Sequence, residues 1–215
     1  SVPLAGLTSK KYADTLAQQI RPDSARSAQT IKPGQPLPFE SDQTTHYSVV
    51  DQAGNMVAVT YTLNTNFGSG IVAAGTGILL NNEMDDFSAK PGVPNAYGLV
   101  GGAANAVAAG KRPLSSMTPT LVLKEQQPWL VTGSPGGARI ITTVLQQIVN
   151  GIDFGMNPAE AAATVRFHHQ WMPDELRVEK GFSPDTLHLL RQKGQNVVVK
   201  PAMGRTQTIQ VQGQA

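Results

Sequence analysis

Two threonines, Thr44 and Thr62, are the residues best spaced to place a nucleophilic hydroxyl beside a second hydroxyl. Two β-rich runs flank the polar segment 51–55, and this pattern predicts a β-hairpin. With 51–55 as its loop, counting outward along both strands places Thr44 opposite Thr62. Directly opposed side chains lie about 4.5–5.5 Å apart at Cβ, close enough for two hydroxyls to interact. Threonine pairs are also ordinary in sheets, and one residue of slip would turn Thr62 to the other face, so the hairpin alone favours a structural interpretation.

A pair of glycines, Gly136 and Gly137, precedes an amphipathic stretch that predicts a helix to about Asn150. The first N–H groups of a helix have no partner inside the helix, and the helix dipole makes that end positive. Glycines there allow an oxyanion to approach the N–H groups closely. A tight turn from strand to helix explains the same pattern equally well.

Two further polar clusters could recognise a charged substrate. Ser115 and Ser116 are adjacent hydroxyls in a segment bounded by prolines, and paired hydroxyls suit a carboxylate. Glu83, Asp85 and Asp86 form an acidic cluster that could receive an ammonium group. Taken alone, the two serines are more simply explained as part of an ordinary polar loop. The acidic residues could likewise simply form a solvated turn.

The overall composition excludes several classes of function. The 215 residues are 40% hydrophobic and carry a formal net charge of +2, with no basic run that would indicate nucleic-acid binding. The chain has no cysteine, which excludes disulfides and thiol catalysis. Its four histidines lack the spacing of metal ligands and are interpreted as packing or surface residues, so neither a metal nor a cofactor is expected. No segment is apolar enough to span a membrane, and no signal peptide opens the chain, so it is cytosolic or its true N-terminus lies elsewhere.

The remaining elements predict hairpins with helices packed outside them, hence antiparallel sheets. The predicted helix after the glycine pair has a buried side made of Ile140, Ile141, Val144, Leu145, Ile148 and Val149. Other predicted elements are a helix from Ser9 to about Ile20 capped by Thr8, an exposed linker at 24–42, strands at 118–124 and 128–132 around a turn at 125–127, helices beginning near Pro158 and Ser183, and closing strands at 196–200 and 207–211.

Five motifs together closely resemble the γ-glutamyltranspeptidases, a family of N-terminal nucleophile hydrolases. They are Gln43-Thr44-Thr45-His46, Thr62-Leu63-Asn64, Asn81 to Asp86, Pro113 to Met117, and Gly133 to Gly137. The resemblance covers nearly all of 44–215. It implies an α+β fold, a four-layer αββα sandwich of antiparallel sheets, completed by a large subunit of which only the C-terminal end, 1–43, is present. It also implies that the precursor cuts itself between Gln43 and Thr44.

The resemblance also implies a role for each residue it covers. Thr44 corresponds to the nucleophile, whose freed α-amine serves as the base, and Thr62 to its helper. Gly136 and Gly137 correspond to the oxyanion donors. Ser115 and Ser116 correspond to the binders of the substrate α-carboxylate, and Asn64, Glu83 and Asp86 to the binders of its α-ammonium. The family's carboxylate-binding arginine belongs to the large subunit. Residues 91–102 resemble a lid, with Tyr97 in the gating position.

The activity implied is transfer of a γ-glutamyl group from glutathione and similar amides to water, amino acids or peptides, in a periplasmic or secreted heterodimer without a cofactor. The nearest alternative is a related self-processing amidase that acts on β-lactam side chains or poly-γ-glutamate. A second alternative is an inactive fragment in which the bond between Gln43 and Thr44 stays intact.

Overall fold

The computed structural model describes residues 5, 8–28, 44–88, 90, 92–93 and 101–212. The described helices are α1 (Lys10–Ala17), α2 (Ile140–Ile152), α3 (Pro158–Ala163) and α4 (Pro184–Gln192). The strands are β1 (Thr45–Val50), β2 (Met56–Tyr61), β3 (Thr120–Lys124), β4 (Gln127–Thr132), β5 (Phe167–His168), β6 (Leu176–Glu179), β7 (Val197–Lys200) and β8 (Ile209–Gln210). Short 3-10 turns occupy Glu83–Asp86, Ala103–Asn105 and Gly137–Arg139.

Strands β1 and β2 form the predicted hairpin in the predicted register. Val50 pairs with Met56, and Thr45 pairs with Tyr61. The Asp51 side chain stabilises the loop by accepting hydrogen bonds from the Asn55 backbone N–H at 2.9 Å and from the Asn55 amide nitrogen at 2.7 Å. An Asx-type bond of this kind closes a turn without help from the strands. The sequence count around residues 51–55 is therefore confirmed.

A second sheet has the strand order β3-β4-β8, and all of its pairings are antiparallel. Glu125 and Gln126 form the turn between β3 and β4, and both have positive φ, 52° and 65°. Two consecutive positive φ angles are typical of the tight two-residue hairpin turn. The predicted turn at 125–127 is therefore one residue too long, because Gln127 already pairs with Lys124.

A third sheet has the order β5-β6-β7, and its β6–β7 pair is parallel. The expectation of antiparallel sheets throughout is wrong here. Parallel neighbours need a crossover connection, and α4 supplies it between β6 and β7. Strands β5 and β6 were not predicted from the sequence. All four residues of β6 are buried, including the charged Arg177 and Glu179, so the alternation of apolar and polar residues in this short strand does not mark one buried and one exposed face.

Helix α2 has a buried side that differs from the predicted one. Ile140, Thr143, Val144 and Gln147 are buried, whereas the predicted members Ile141 and Leu145 are 50% and 56% exposed. The apolar residues of α2 cover a wider part of the helix surface than the part that the other described residues bury. This chain therefore leaves part of the helix's apolar surface uncovered.

The N-terminal segment departs from its prediction in two places. Helix α1 is capped by Ser9, whose side chain accepts a hydrogen bond from the Tyr12 N–H, and not by Thr8; it ends at Ala17 rather than near Ile20. The segment predicted as an exposed linker is exposed at its first residue, Ser24, but anchored at Ala28. Ala28 is buried, and its N–H donates to the Asp174 carboxylate at 2.9 Å. Residues 29–42 of that segment lie outside the described part of the chain.

Candidate active site

One cleft brings together most of the residues singled out in the sequence. Its walls are Thr44, Thr62, Asn64, Asp86, Ser115, Ser116, Met117, Gly137, Ala138 and Ile140. Gly136 borders a second cleft that also contains Thr44. Glu83 is not on the wall of the first cleft, and Gln43 and Tyr97 lie outside the described residues.

The β1–β2 hairpin positions the two threonines. Thr44 directly precedes β1 and Thr62 directly follows β2, so the pairing of Thr45 with Tyr61 sets the two hydroxyl residues opposite each other. The Thr62 hydroxyl oxygen accepts a hydrogen bond from the Asn64 N–H at 2.9 Å. The hairpin therefore holds the hydroxyl of Thr44 at the residue whose nitrogen would become a free amine after chain cleavage. The hydroxyl residue Thr62 lies opposite it.

Asn64 has a constrained conformation. Its φ is 75°, in the left-handed region where asparagine is several-fold enriched, and its residue surface is only 3% exposed. Its side-chain amide donates to the Asn82 carbonyl at 3.2 Å, which ties the end of the hairpin to the segment that carries the acidic cluster. An amide fixed in this way can present its oxygen to a donor in the cleft.

Gly136 and Gly137 form the turn into α2 with φ angles of 142° and 57°. The Gly136 carbonyl accepts hydrogen bonds from the Arg139 backbone N–H at 3.1 Å and from its Nε at 3.2 Å. A side chain at either glycine would be strained by its positive φ. The glycines therefore leave the backbone open to a ligand at the boundary of both clefts.

The acidic cluster lies on the 3-10 turn Glu83–Asp86. Burial, with the negative charge of Asp86 as a second cause, raises the pKa of Glu83 to about 7. Burial is also the main reason why the pKa of Asp86 is raised. Both carboxylates are thus held where their negative charge is costly unless a cation is near, and a bound ammonium group would favour their ionised forms.

The two serines lie on a loop fixed by backbone-directed hydrogen bonds. The Ser115 hydroxyl accepts from the Met117 N–H at 3.2 Å, and the Ser116 carbonyl accepts from the Thr118 hydroxyl at 2.9 Å. Asn105 stabilises the start of the loop, since its side-chain oxygen accepts from the Leu114 N–H at 3.0 Å. Hydroxyl donors on a fixed loop can bind a carboxylate without reorganising first.

His46 supports the site although the sequence offered it only as a packing or surface residue. It is 5% exposed, and its Nδ1 and Nε2 lie 2.7 Å from the Thr60 hydroxyl and 3.2 Å from the Ser48 hydroxyl. Since Ser48 donates its proton to the Gln207 carbonyl, its oxygen accepts from His46 Nε2, which leaves Nδ1 to accept from Thr60. Burial lowers the pKa of His46, which agrees with this neutral form. The signal in the sequence is its spacing, two residues after Thr44 on the same face of the strand.

Two other sequence expectations concern absent features. Among the described residues, no group of three or more histidine, aspartate or glutamate side chains is arranged to hold a metal ion. The helices of the same residues are too short or too polar to cross a membrane.

The chain matches the family model described as Gamma-glutamyltranspeptidase over residues 1–215. It is 68% identical over 210 residues to the glutathione hydrolase proenzyme of Escherichia coli (strain K12), a match that covers 98% of this chain and 36% of that protein. The chain thus spans about a third of the length of this curated relative. The matches to other relatives named glutathione hydrolase proenzyme, from Pseudomonas and Bacillus species, also cover about a third of each relative's length.

Solved structures are similar over the same core. The T380A mutant of the Helicobacter pylori γ-glutamyltranspeptidase has a TM-score of 0.77 and 60% identity, and the match covers 78% of this chain and 91% of that chain. A cephalosporin acylase from Bacillus halodurans has a TM-score of 0.78 and 28% identity, covering 98% of this chain and 36% of that chain.

Proposed function

Because this chain belongs to the γ-glutamyltranspeptidase family, we propose that it contains the catalytic small subunit of an enzyme that transfers γ-glutamyl groups. In this proposal residues 44–215 form the small subunit and residues 1–43 the end of the large one. The 78% of the chain that matches nearly the whole of one solved relative supports this division, because residues 44–215 make up four-fifths of the chain. The substrates are glutathione and other γ-glutamyl amides, and the acceptors are water, amino acids or peptides.

The proposal begins with self-cleavage. The Thr44 hydroxyl attacks the Gln43 carbonyl carbon, the C–N bond breaks, and an ester forms while Thr44 gains a free α-amine. Water then hydrolyses the ester, which leaves a carboxylate on Gln43 and restores the hydroxyl. An α-amine has a reference pKa of about 7.7–8.0, so it can act as a general base near neutral pH. The curated relatives of Escherichia coli and Pseudomonas that are named glutathione hydrolase proenzyme support this step.

The same hydroxyl then attacks the γ-carbonyl of the substrate. The amine of Thr44 takes the hydroxyl proton and later gives it to the leaving amine, so the acyl group is left as an ester on Thr44. Negative charge develops on the carbonyl oxygen, and the N–H groups of Gly136 and Gly137 would stabilise it. Loss of one such donor typically costs about 2.7–4 kcal/mol of barrier. Thr62 would hold the Thr44 hydroxyl in position.

The charges around the cleft favour a glutamyl group with a free α-end. Asp86 lines the cleft and Glu83 adjoins it on the same 3-10 turn, so the α-ammonium would meet negative charge. Ser115 and Ser116 would donate to the α-carboxylate. The single observation that carries the proposal is the cleft itself, because Thr44, the serine pair and an acidic residue line the same cleft.

The proposal also includes the remainder of the polypeptide. Relatives are proenzymes about three times the length of the matched segment, so we propose a heterodimer in which the absent part completes the four-layer αββα sandwich and supplies the carboxylate-binding arginine. We also propose that residues 91–102 form a lid gated by Tyr97, and that the enzyme is periplasmic or secreted, as bacterial members of the family mostly are. No cofactor takes part in this reaction.

Replacement of Thr44 tests the proposal. In the complete polypeptide, Thr44→Ala should abolish both self-cleavage and hydrolysis of γ-glutamyl-p-nitroanilide, and Thr44→Ser should retain both at a reduced rate. The matched control is Thr45→Ala, which removes an identical side chain from the next position and should still yield two polypeptides that meet at Thr44. Mass spectrometry reports the cleavage. Turnover by Thr44→Ala, or an unbroken wild-type chain, contradicts the proposal; the unbroken chain would favour the inactive fragment.

A self-processing acylase is the second candidate, and the similarity to a cephalosporin acylase favours it. A glutaryl amide differs from a γ-glutamyl amide only in the absence of the α-amino group. If the acidic cluster binds an ammonium group, the wild-type enzyme should prefer the γ-glutamyl amide by at least tenfold in kcat/KM. Equal use of the two amides would assign the chain to the acylases instead.

A further inference from the structure

Thr44 also lines a second cleft, which shares no other lining residue with the first. Its walls are Thr44, Thr45, Pro135, Gly136, Ala202, Gly204 and Arg205. Each of the paired glycines lines a different cleft: Gly137 lines the first and Gly136 lines the second. The proposed nucleophile and oxyanion donors therefore lie where the two clefts meet.

The segment that carries Arg205 is fixed from behind. The Arg205 N–H donates to the hydroxyl of fully buried Ser134 at 2.9 Å, and that hydroxyl donates to the Pro135 carbonyl at 2.7 Å. Gly204 has a φ of 71°, and a Cβ there would collide with Thr143 and Ser134. These contacts hold the backbone of Arg205 against the turn that contains the glycine pair.

A second anchor lies one residue further back. Met203 is completely buried, and its N–H donates to the Glu179 carboxylate at 2.6 Å. The other oxygen of Glu179 accepts from the Arg166 N–H at 2.9 Å. The guanidinium of Arg205, in contrast, is exposed, and no carboxylate of the described residues lies within ion-pair distance of it. A cation without an anionic partner thus projects from a rigid backbone beside Thr44.

Acyl transfer needs two sites on either side of the carbonyl carbon. The first cleft is suited to the γ-glutamyl part, so the leaving amine must depart away from it, and an acceptor amine must arrive by the same route because transfer is the reverse of that departure. Cysteinylglycine, released from glutathione, and amino acid or peptide acceptors each carry a carboxylate. A guanidinium binds a carboxylate through two parallel hydrogen bonds, which also orients it.

We infer that the second cleft receives the leaving group and the acceptor, and that Arg205 selects those with a free carboxylate. The inference rests on the proposed function. With the acceptor carboxylate on Arg205, its uncharged amine attacks the ester carbon at Thr44. The bond from that carbon to the Thr44 oxygen then breaks, the new amide forms, and the amine proton passes through the α-amine of Thr44 to the departing oxygen. Arg205 is a specificity-determining residue and takes no part in proton transfer.

The test uses the complete, self-cleaved enzyme with γ-glutamyl-p-nitroanilide as donor, because its leaving group has no carboxylate. Glycylglycine and glycylglycinamide serve as acceptors that differ only in the terminal carboxylate. In Arg205→Gln the acceptor KM for glycylglycine should rise about tenfold, the size expected for loss of a charge-assisted hydrogen bond at an exposed site, while that for glycylglycinamide should stay within twofold. Arg205→Lys should give an intermediate value. Arg191→Gln, on the exposed end of α4, is the matched control and should change neither.

A second readout uses the donor side. In Arg205→Gln, kcat/KM for glutathione hydrolysis should fall several-fold while hydrolysis of γ-glutamyl-p-nitroanilide is unchanged. An equal loss with both acceptors, or an undiminished preference for glycylglycine, overturns the inference. Hydrolysis of γ-glutamyl-p-nitroanilide by the wild-type enzyme tests the proposed function independently, since it does not involve Arg205. If the wild type lacks that hydrolysis, the proposed function and this inference both fall.

Discussion

Glu83 is the side chain whose charge responds most directly to pH near neutrality, because burial and Asp86 raise its pKa to about 7. Its negative charge is present above that pH, so binding of an α-ammonium group should strengthen as pH rises through about 7. We expect kcat/KM for γ-glutamyl-p-nitroanilide to show an acid limb there. Glu83→Gln should remove the part of this limb that Glu83 sets and leave the part set by the proposed base, the Thr44 α-amine, since the amide does not titrate and no longer repels ionised Asp86.

Pre-steady-state or steady-state pH profiles measure this effect. Glu125→Gln is the control, because Glu125 lies in the tight turn between β3 and β4, away from the cleft, and should leave the profile unchanged. The same shift has a consequence for stability. A carboxyl with a raised pKa stabilises the folded state fully below its ordinary value of 4.5 and loses that contribution as pH rises to about 7. An acid limb that is unchanged in Glu83→Gln would assign the whole limb to another group.

Gly133 shows how closely the backbone approaches His46. A Cβ at Gly133 would lie within the His46 ring, and both residues are buried. Gly133→Ala should therefore destabilise the enzyme by about 2 kcal/mol, because an overpacked core forces the side chain or backbone to shift. Gly102→Ala is the control, since nothing lies near its Cβ position and its φ suits any residue. Thermal unfolding of the two variants should differ by several degrees, and equal melting temperatures would contradict the close packing.

Residue spacing predicted which side chains meet, but not what holds them. Thr44 and Thr62 could be paired from the loop length alone, because a five-residue loop and a period of two fix the count. His46, Ser134 and Gly133 each make contacts that support the site. The contact between His46 and Gly133 joins residues more than 80 positions apart in the sequence. Such contacts depend on how sheets stack, which local patterns do not encode.

At the level of elements, a buried ion pair joins β5, β6 and the segment behind Arg205. The carboxylate of Glu179 on β6 lies 3.5 Å from Arg166 and accepts from the Met203 N–H. Glu179→Ala should lower stability by about 3 kcal/mol, because it leaves a buried guanidinium without its partner. Glu175→Ala is the matched control, since Glu175 pairs with Lys200 at 4.0 Å near the surface, where such pairs contribute about 0–1 kcal/mol. Calorimetric melting temperatures compare the two, and equal losses would contradict a special role for Glu179.

The elements that the sequence predicted best carry their own local signals. Helix α3 begins with a capping box between Asn157 and Glu160, and α4 ends before Gly194, whose φ is 87°. Strands β5 and β6 are only two and four residues long, and the buried charges on β6 find their partners in other segments, Glu179 in Arg166 and Met203 and Arg177 in the Pro201 carbonyl. The parallel pairing of β6 with β7 could not be predicted for the same reason.

At the scale of the whole molecule, the described residues leave unusual amounts of apolar surface exposed. On the outward face of the β1–β2 hairpin, Tyr47, Val57 and Tyr61 are 50%, 48% and 63% exposed. On α2, Ile141 and Leu145 are exposed as well. Large exposed apolar patches mark interaction surfaces, and this chain spans only about a third of its relatives' length. We propose that the large subunit supplies a layer that covers Ile141 and Leu145, whose predicted burial this chain alone does not show.

Expression of the chain with and without the remainder of its polypeptide tests this explanation. Alone, it should bind a hydrophobic dye such as ANS strongly and self-associate, because the uncovered faces stay in contact with water. Co-assembled with the remainder, it should bind little dye and elute as a single heterodimer. A chain that is monomeric and binds no dye alone would show that these faces need no cover.

The pleat of β1 has one more consequence, for which bond the proposed self-cleavage would break. Thr44 and Thr45 offer the same functional group to the same solvent, yet neighbouring residues on a strand point to opposite sides. Only the first of the two is directed toward Thr62, so the fold distinguishes chemically identical neighbours by parity. An extra residue within the loop 51–55 would leave that parity intact, whereas one inserted between Thr45 and Val50 would reverse it and present the wrong threonine. In the proposed self-cleavage, the scissile position is therefore set by a count of residues along one short strand.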